Sequence, residues 1–304
     1  MRAMRQFDFM GKRRIAFIVS IALTIVSVAA LALLNLNLGL DFTGGTVVEL
    51  HYAAAPSLDD IRSLLANSGF ENFSVQTFGA TDEILVRLQQ TFSNDVGNQV
   101  VSALSSGNAS IELVRAEFVG AQVGDQLRDQ SGLGMLVALA GVAIYVAFRF
   151  QYKFALCAII SLGHDVLIVL GLFALFQWEF DLTVLAGIMA VIGYSLNDTI
   201  IVYDRIRENI RLSRSEDLAQ IFNEAINQTL SRTLATSGTT LLVLFALFFL
   251  GGDMIHNFAI SLILGIVAGT FSSVYVAAAL LIVFRLERQD LIPVKKGEVV
   301  DDTP

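Results

Sequence analysis

Six apolar runs, at about 15–35, 132–150, 154–176, 182–203, 233–252 and 256–284, constrain this chain more than any other feature of its sequence. Each is near or above the roughly 20 residues an α-helix needs to cross a bilayer, where only helices and closed barrels satisfy every backbone polar group. With 55% hydrophobic and 16% charged residues and a mean hydropathy of +0.66, the 304-residue chain reads as an integral membrane protein and not as a soluble enzyme. One sizeable hydrophilic insert, about 37–130, separates the first two runs, and a shorter polar stretch follows the fourth.

An even number of spans puts both termini on one side, together with the 204–232 stretch. Those segments, with Arg149 and Lys153, hold 16 of the 20 basic residues, so that side is read as the cytoplasm. The expected division is a cytoplasmic N-terminus 1–14, a span at 15–35, a periplasmic domain 36–131 and three spans within 132–203. A cytoplasmic amphipathic stretch 204–231, two spans within 232–284 and a cytoplasmic tail 285–304 complete it. The insert sets Arg62, Arg87, Arg115 and Arg128 against twelve Asp and Glu, so the whole-chain charge of −8 is a property of the outside domain. Nucleic acid, which requires a basic face, is excluded as a partner. Cys157, the lone cysteine, lies in the third run, allows no internal disulfide and reads as a packing residue. The opening MRAMRQFDFMGKRR resembles a signal-peptide start, but the run is long and meets Asn35-Leu36-Asn37 instead of a small-residue cleavage site. It is read as an uncleaved anchor.

The insert alternates period-two and helical patterns: strand Thr46–Tyr52, helix Leu58–Ala66, strands Phe73–Gly79 and Glu83–Gln89, helix Val96–Leu104, strand Ile111–Val119. That order predicts a ferredoxin-like α+β domain, with Thr81-Asp82 at its central hairpin. Its histidine, His51, stands alone in a strand, and a structural or solvent role is expected. The domain reads as a binding or mechanical module. No metal site, cofactor or covalent chemistry is expected anywhere in the chain.

Chemistry concentrates in Leu182–Glu208, where Asp198 lies in an apolar run long enough to span. An unpaired Asp at a helix centre costs about 2.5–3.5 kcal/mol, so it should face protein or a water-filled cavity. At 100° per residue, Asp198 shares a small and polar sector with Thr183, Ala186, Gly187, Ala190, Gly193, Tyr194 and Asn197, opposite Leu185, Ile188, Met189, Ile192 and Leu196. The small sector is expected to face other helices, with Asn197 and Tyr194 able to hydrogen-bond the carboxylate.

Other spans carry weaker signals. His164 and Asp165, adjacent in the third run, should avoid lipid, either as part of a proton relay or as a hydrogen-bonded pair that only joins helices. In the fifth, helical spacing aligns Arg232 with Thr236, Thr239 and Thr240. Arg232 reads either as a positive-inside anchor or, given the hydroxyls, as a functional cation. Gly134, Ala138 and Gly141 in the second run, and Ser261, Gly265, Gly269, Ser273 and Ala277 in the sixth, predict close helix contacts. Apolar residues spaced through 204–231 predict amphipathic helices on the cytoplasmic interface. LGLDFTGG, Leu38–Gly45, suits a turn at the membrane exit, with Asp41 as a turn former and Gly44 and Gly45 as the bend.

Taken together, LGLDFTGG after the first span, AGIMAVIGYSLNDTIIVYDRIREN in and after the fourth, SRTLATSGTT opening the fifth and the single large outside domain resemble the SecF family. That family is a relative of the resistance-nodulation-division transporters. The resemblance covers nearly the whole chain. It implies a bacterial inner-membrane subunit that pairs with SecD, joins the SecYEG channel and associates with YajC. It also implies use of the proton gradient, the proton being the coupling ion, to complete translocation of unfolded preproteins. Carried onto this sequence, the family's proton path falls on Asp198 and Arg232, with Asn197, Thr236 and Thr240 beside them, and the LGLDFTGG segment becomes a hinge for the outside domain. Two rival readings stay open: a non-conducting scaffold for the translocon, and a small-molecule or lipid exporter of the same superfamily.

Overall fold

The computed structural model describes residues 7–71, 73–78, 80–88, 95–105, 110–213 and 217–286. Residues 1–6, 287–304, Gly79, Gln89 and 214–216, on which some of the expectations above fall, lie outside the described residues. In chain order the elements are α1 (Arg13–Leu34), β1 (Asn37–Leu38), α2 (Leu40–Thr43), β2 (Gly45–Tyr52), α3 (Leu58–Asn67), β3 (Phe73–Phe78) and β4 (Ala80–Leu88). There follow α4 (Val96–Ser105), β5 (Ile111–Val119), α5 (Ala121–Arg149), α6 (Tyr152–Phe176), β6 (Glu179–Phe180), α7 (Leu182–Leu212) and α8 (Leu218–Leu250). The sixth span consists of α9 (Asp253–Phe271), a π-helical stretch (Ser272–Ala277) and α10 (Ala278–Val283).

Six helices are long and apolar enough to cross a membrane, as expected. α6, α7 and the sixth span are about half buried within the chain, whereas α1, α5 and α8 present most of their surface outward, with Ile18, Leu136, Phe148 and Leu242 exposed. The seam between α7 and the sixth span is built on small residues. A methyl on Gly265 would run into Val191, and one on Gly269 would come within 2.9 Å of the Ser195 Cβ. The strip from Ser261 to Ala277 therefore seats α7. The strip on the second span seats nothing among the described residues, since a Cβ on Gly134 or Gly141 would meet no atom within 4 Å. Small residues permit close approach without supplying the neighbour.

The polar stretch after the fourth run differs from expectation. α7 continues to Leu212 and α8 starts at Leu218, its first turn capped by the Asp217 carboxylate, so the stretch lengthens two spans instead of forming separate surface helices. The apolar faces of these extensions close on each other, with Ile206 and Ile210 packed among Ile221, Phe222, Ala225 and Ile226. α5 likewise begins at Ala121, well before its apolar run, because the polar segment leading into the span contains no proline.

The domain inserted between the first two spans is the expected split βαβ fold. Its antiparallel sheet runs β3-β4-β2-β5, and α3 and α4 close one face over Val48, Leu50, Ile61, Leu65, Ile84, Val86 and Val100. Thr81 and Asp82 do not form the hairpin. They lie within β4, because a register shift at Thr77/Phe78 pairs Phe78 with Ala80 and tightens the turn. Asp82 faces His51 across the sheet at 4.0 Å, on a partly exposed surface, which gives His51 its solvent-side role.

Candidate functional site

Asp198 sits on α7 about 24 Å along the helix from Leu182, at 1.5 Å per residue. It is 1% exposed, and among the described residues neither carboxylate oxygen has a hydrogen-bond partner. Its polar neighbour is Ser237 on α8, and Arg232 lies one and a half turns earlier on that helix. Ser237 is itself bonded to Thr270 on α9 at 3.0 Å, and it accepts from the Tyr194 hydroxyl at 3.4 Å. A buried acid without partners is expensive, and one that persists marks a place where charge is handled.

The surroundings differ from the sequence expectation in two respects. Tyr194 bonds Ser237 and not Asp198, and Asn197, one residue away and about 100° around the helix, points outward with no bond to the carboxylate. The faces of α7 are also inverted. Leu185, Ile188, Ile192 and Leu196 are the buried side, while Thr183, Ala186, Ala190, Gly193 and Asn197 are exposed. Within one chain the apolar ridge supplies the packing area, so α6 and α9 take that side. Gly187 and Asp198, at the sector's edge, are the members turned inward.

Arg232 is exposed and forms no ion pair among the described residues. The threonines following it bond to their own helix: Thr236 donates to the Arg232 carbonyl at 3.1 Å and Thr240 to the Thr236 carbonyl at 2.9 Å. The hydroxyl ladder thus shares Arg232's outer face but spends its donors locally.

His164 and Asp165 form a second, fully satisfied cluster that joins four segments. Ser195 on α7 and Ser272 in the π-helical stretch each donate to Asp165 Oδ2 at 2.6 Å, and His164 Nδ1 lies 3.0 Å from Oδ1. His164 Nε2 meets the Ser20 hydroxyl of α1 at 2.7 Å. Beside it Thr199 and Ser273 share a hydrogen bond at 2.9 Å. Ser272 and Ser273 thus serve different helices, α6 and α7, from adjacent positions. The extra residue of a π turn accommodates that divergence. Sequence reading missed Ser20, Ser195, Ser237 and Ser272. Their only signal is a hydroxyl inside an apolar span, which helical spacing does not assign to a partner.

The LGLDFTGG segment packs against the N-terminal end of α7. Asp41 Oδ2 accepts from the Leu182 backbone N–H at 3.0 Å, adding to the Asp181 cap on Val184 at 2.8 Å. β1 pairs in parallel with β6, and Gly39 N donates to the Phe180 carbonyl at 2.8 Å. Gly44 (φ 66°) and Gly45 (φ 112°) turn the chain into β2, and a Cβ on Gly44 would lie 2.8 Å from the Ala121 Cα. Arg87 of β4 donates to the Leu38 carbonyl at 3.1 Å and pairs with Glu179 at 2.5 Å, both side chains less than one-fifth exposed. Burial pushes the Glu179 carboxyl above its ordinary 4.5. Arg87 opposes the push, and Asp181 and Asp41 add to it. The segment expected to be a hinge is therefore clamped on both sides.

Sequence comparison adds to this geometry. The family described as "Protein export membrane protein SecD/SecF, C-terminal" matches residues 99–287, and the "SecD/SecF GG Motif" matches residues 35–55. The protein translocase subunit SecF of Pseudomonas aeruginosa is 48% identical over 98% of this chain and 97% of its own length. That of Vibrio alginolyticus is 44% identical over 100% and 99%. Among solved structures, SecDF of Thermus thermophilus, a translocon-associated membrane protein, superposes with a TM-score of 0.86 at 35% identity, covering 94% of this chain and 40% of that longer one. SecDF in its super-membrane-facing form superposes with 0.70 at the same identity, covering 94% and 39%. The half-buried three-helix centre carrying Asp198, the clamped glycine motif and near full-length identity to several SecF subunits lead to one assignment: this chain belongs to the SecD/SecF family of protein-export membrane proteins, in its SecF branch.

Proposed function

We propose that this chain pairs with SecD in the bacterial inner membrane, with both termini cytoplasmic and the sheet domain in the periplasm. There it uses the proton gradient to promote translocation of unfolded preproteins through SecYEG, with YajC as a further associate. The observation that carries the reading is an incomplete site. Among the described residues Asp198 is buried without a hydrogen-bond partner, and the helix face next to it, Ala186, Ala190, Gly193 and Asn197, is small and uncovered. Such a strip suits close approach by another helix and is a poor surface for lipid. A SecD helix on it would complete a cleft containing Asp198, with Arg232 at its margin.

Protonation of Asp198 in that cleft removes the charge facing Arg232, and the helices repack so that the proton leaves on the other side. Each elementary charge crossing the full field releases about 2.3 kcal/mol per 100 mV, enough to bias a two-state arrangement. That SecDF has been solved in forms on which this chain superposes with TM-scores of 0.86 and 0.70, at equal coverage of it, is consistent with such repacking.

The scaffold reading uses the same interface without proton flow, and export separates the two. Under this proposal Ala190→Cys and Gly193→Cys cross-link to SecD spans in intact membranes, and an Asp198→Asn complex assembles but exports poorly. Absence of cross-links from both positions would place SecD elsewhere, and full export by the assembled Asn variant would leave a scaffold.

A further inference from the structure

Three arginines converge on one cavity at the end of the spans away from the inserted domain. Arg149 ends α5, while Arg207 and Arg211 stand near the end of α7, where a spacing of four residues puts both on one helix face. With Asp204, Glu208 and Leu212 they line about 400 Å³ of open space, within the ~300–1,000 Å³ of small-ligand sites. The guanidinium carbons of Arg149 and Arg207 lie 5.6 and 5.3 Å from the centre of the buried Phe150 ring, which holds two cations about one ring without using their N–H donors. Acidic groups do not balance the trio. Arg205 donates to Glu208 at 2.8 Å, so Asp204 is the carboxylate of the lining left to serve three guanidiniums. It meets Arg149 at 2.9 Å and Arg207 at 3.5 Å, and Arg207 Nε has no acceptor among the described residues. Arg211 is exposed, and its guanidinium forms no ion pair among the described residues. Three cations against one uncommitted acid leave two positive charges over.

Converging guanidiniums with spare donors suit phosphate, because each presents paired N–H groups at the spacing of two phosphate oxygens. The neighbouring surface indicates where that phosphate comes from. Leu212 in the lining is exposed, and so are Ile144, Tyr145 and Phe148 in the last turns of α5 before Arg149. Such an apolar and aromatic surface belongs at the level where acyl chains meet headgroups. We propose that this cavity binds the phosphate of an anionic phospholipid, with the acyl chains lying along α5 and the two phosphates of cardiolipin matching the two unpaired charges. Basic pockets between spanning helices are where such headgroups lodge. Positive-inside anchoring requires arginines on one side of the membrane, but it does not bring three of them to one cavity. The site stands apart from proton movement at Asp198.

The test uses the full chain assembled with SecD in detergent micelles, titrated with fluorescently labelled cardiolipin and followed by anisotropy. Unlabelled cardiolipin should compete best and phosphatidylglycerol less well, with phosphatidylcholine and inorganic phosphate weaker by roughly ten-fold or more. Arg211→Gln, which breaks no ion pair among the described residues, should weaken binding roughly three-fold or more, and the triple variant Arg149→Gln, Arg207→Gln, Arg211→Gln roughly ten-fold or more. Arg14→Gln, at the same end of α1, should change it less than about two-fold. Asp204→Asn removes the competing carboxylate and should tighten binding, a change opposite to that caused by loss of folding. Inorganic phosphate competing as well as cardiolipin would make the ligand a soluble phosphate and overturn the lipid. Equal weakening by Arg14→Gln and Arg211→Gln would leave only general charge attraction. Unchanged binding in the triple variant, or weaker binding in Asp204→Asn, would reduce the arginines to a clasp between α5 and α7.

Discussion

Asp165 offers the most quantitative perturbation. Replacing it with Ala removes the acceptor of two serine hydroxyls at 2.6 Å and of His164 at 3.0 Å, at a side chain with no solvent exposure. Interhelical hydrogen bonds in membrane proteins are worth about 0.6 kcal/mol on average and up to about 1.7, so losing three costs about 2–5 kcal/mol. Asp165→Asn keeps the shape and one acceptor oxygen and should cost about half as much. Equilibrium unfolding in mixed micelles measures the difference, and a cycle with Ser272→Ala isolates one bond. The double variant should fall short of additivity by about 1 kcal/mol, because the bond from Ser272 is lost only once. Hydrogen exchange at Ser272–Ala277 should accelerate at the same time, since the π turn loses its tether. A stability within about 0.5 kcal/mol of the parent for Asp165→Ala, or strict additivity in the cycle, would refute the network as the clasp between α6, α7 and the sixth span.

Three further outcomes follow from the same contacts. Gly44→Ala should melt well below Gly69→Ala: both glycines have positive φ, but only Gly44 has Ala121 where the methyl would go, so the difference isolates the clash from the backbone penalty of about 1 kcal/mol. Because the Glu179 value in the folded chain lies above 4.5, the native state holds that proton more tightly than the unfolded one. Stability from this group therefore falls as pH rises from about 4.5 through the raised value and is flat above it, and Glu179→Gln should remove that slope from a melting-temperature profile. A membrane-impermeant maleimide should label Ser110→Cys but not Arg211→Cys in intact cells, and the opposite pattern would reverse the orientation.

Much of the architecture is legible in the residues because a spanning helix must be apolar for most of its length, and the split βαβ order survives as alternating periods. Asp198 is equally legible, since a carboxylate in such a run has few bland explanations. The face that meets other helices is not. Small residues on α7 suit a close neighbour, but within one chain the Leu185–Leu196 ridge buries more area, and the small face stays exposed among the described residues. Serines are ambiguous for a related reason. Thr236 and Thr240 bond back to their own helix, whereas Ser195 and Ser272 reach across to Asp165, and helical spacing does not distinguish the two uses. The Arg87–Glu179 contact leaves no trace in the sequence, because it joins a sheet and an inter-span turn that only the folded chain brings together.

The central claim is that Asp198 carries a proton across the membrane. Vesicles containing the SecD-paired complex, given an imposed pH gradient and a trapped pH dye, measure this directly. The wild-type complex should dissipate the gradient at least several-fold faster than Asp198→Asn, with Arg232→Ala also impaired. Equal rates for wild type and Asp198→Asn, in complexes shown to be assembled, would contradict it.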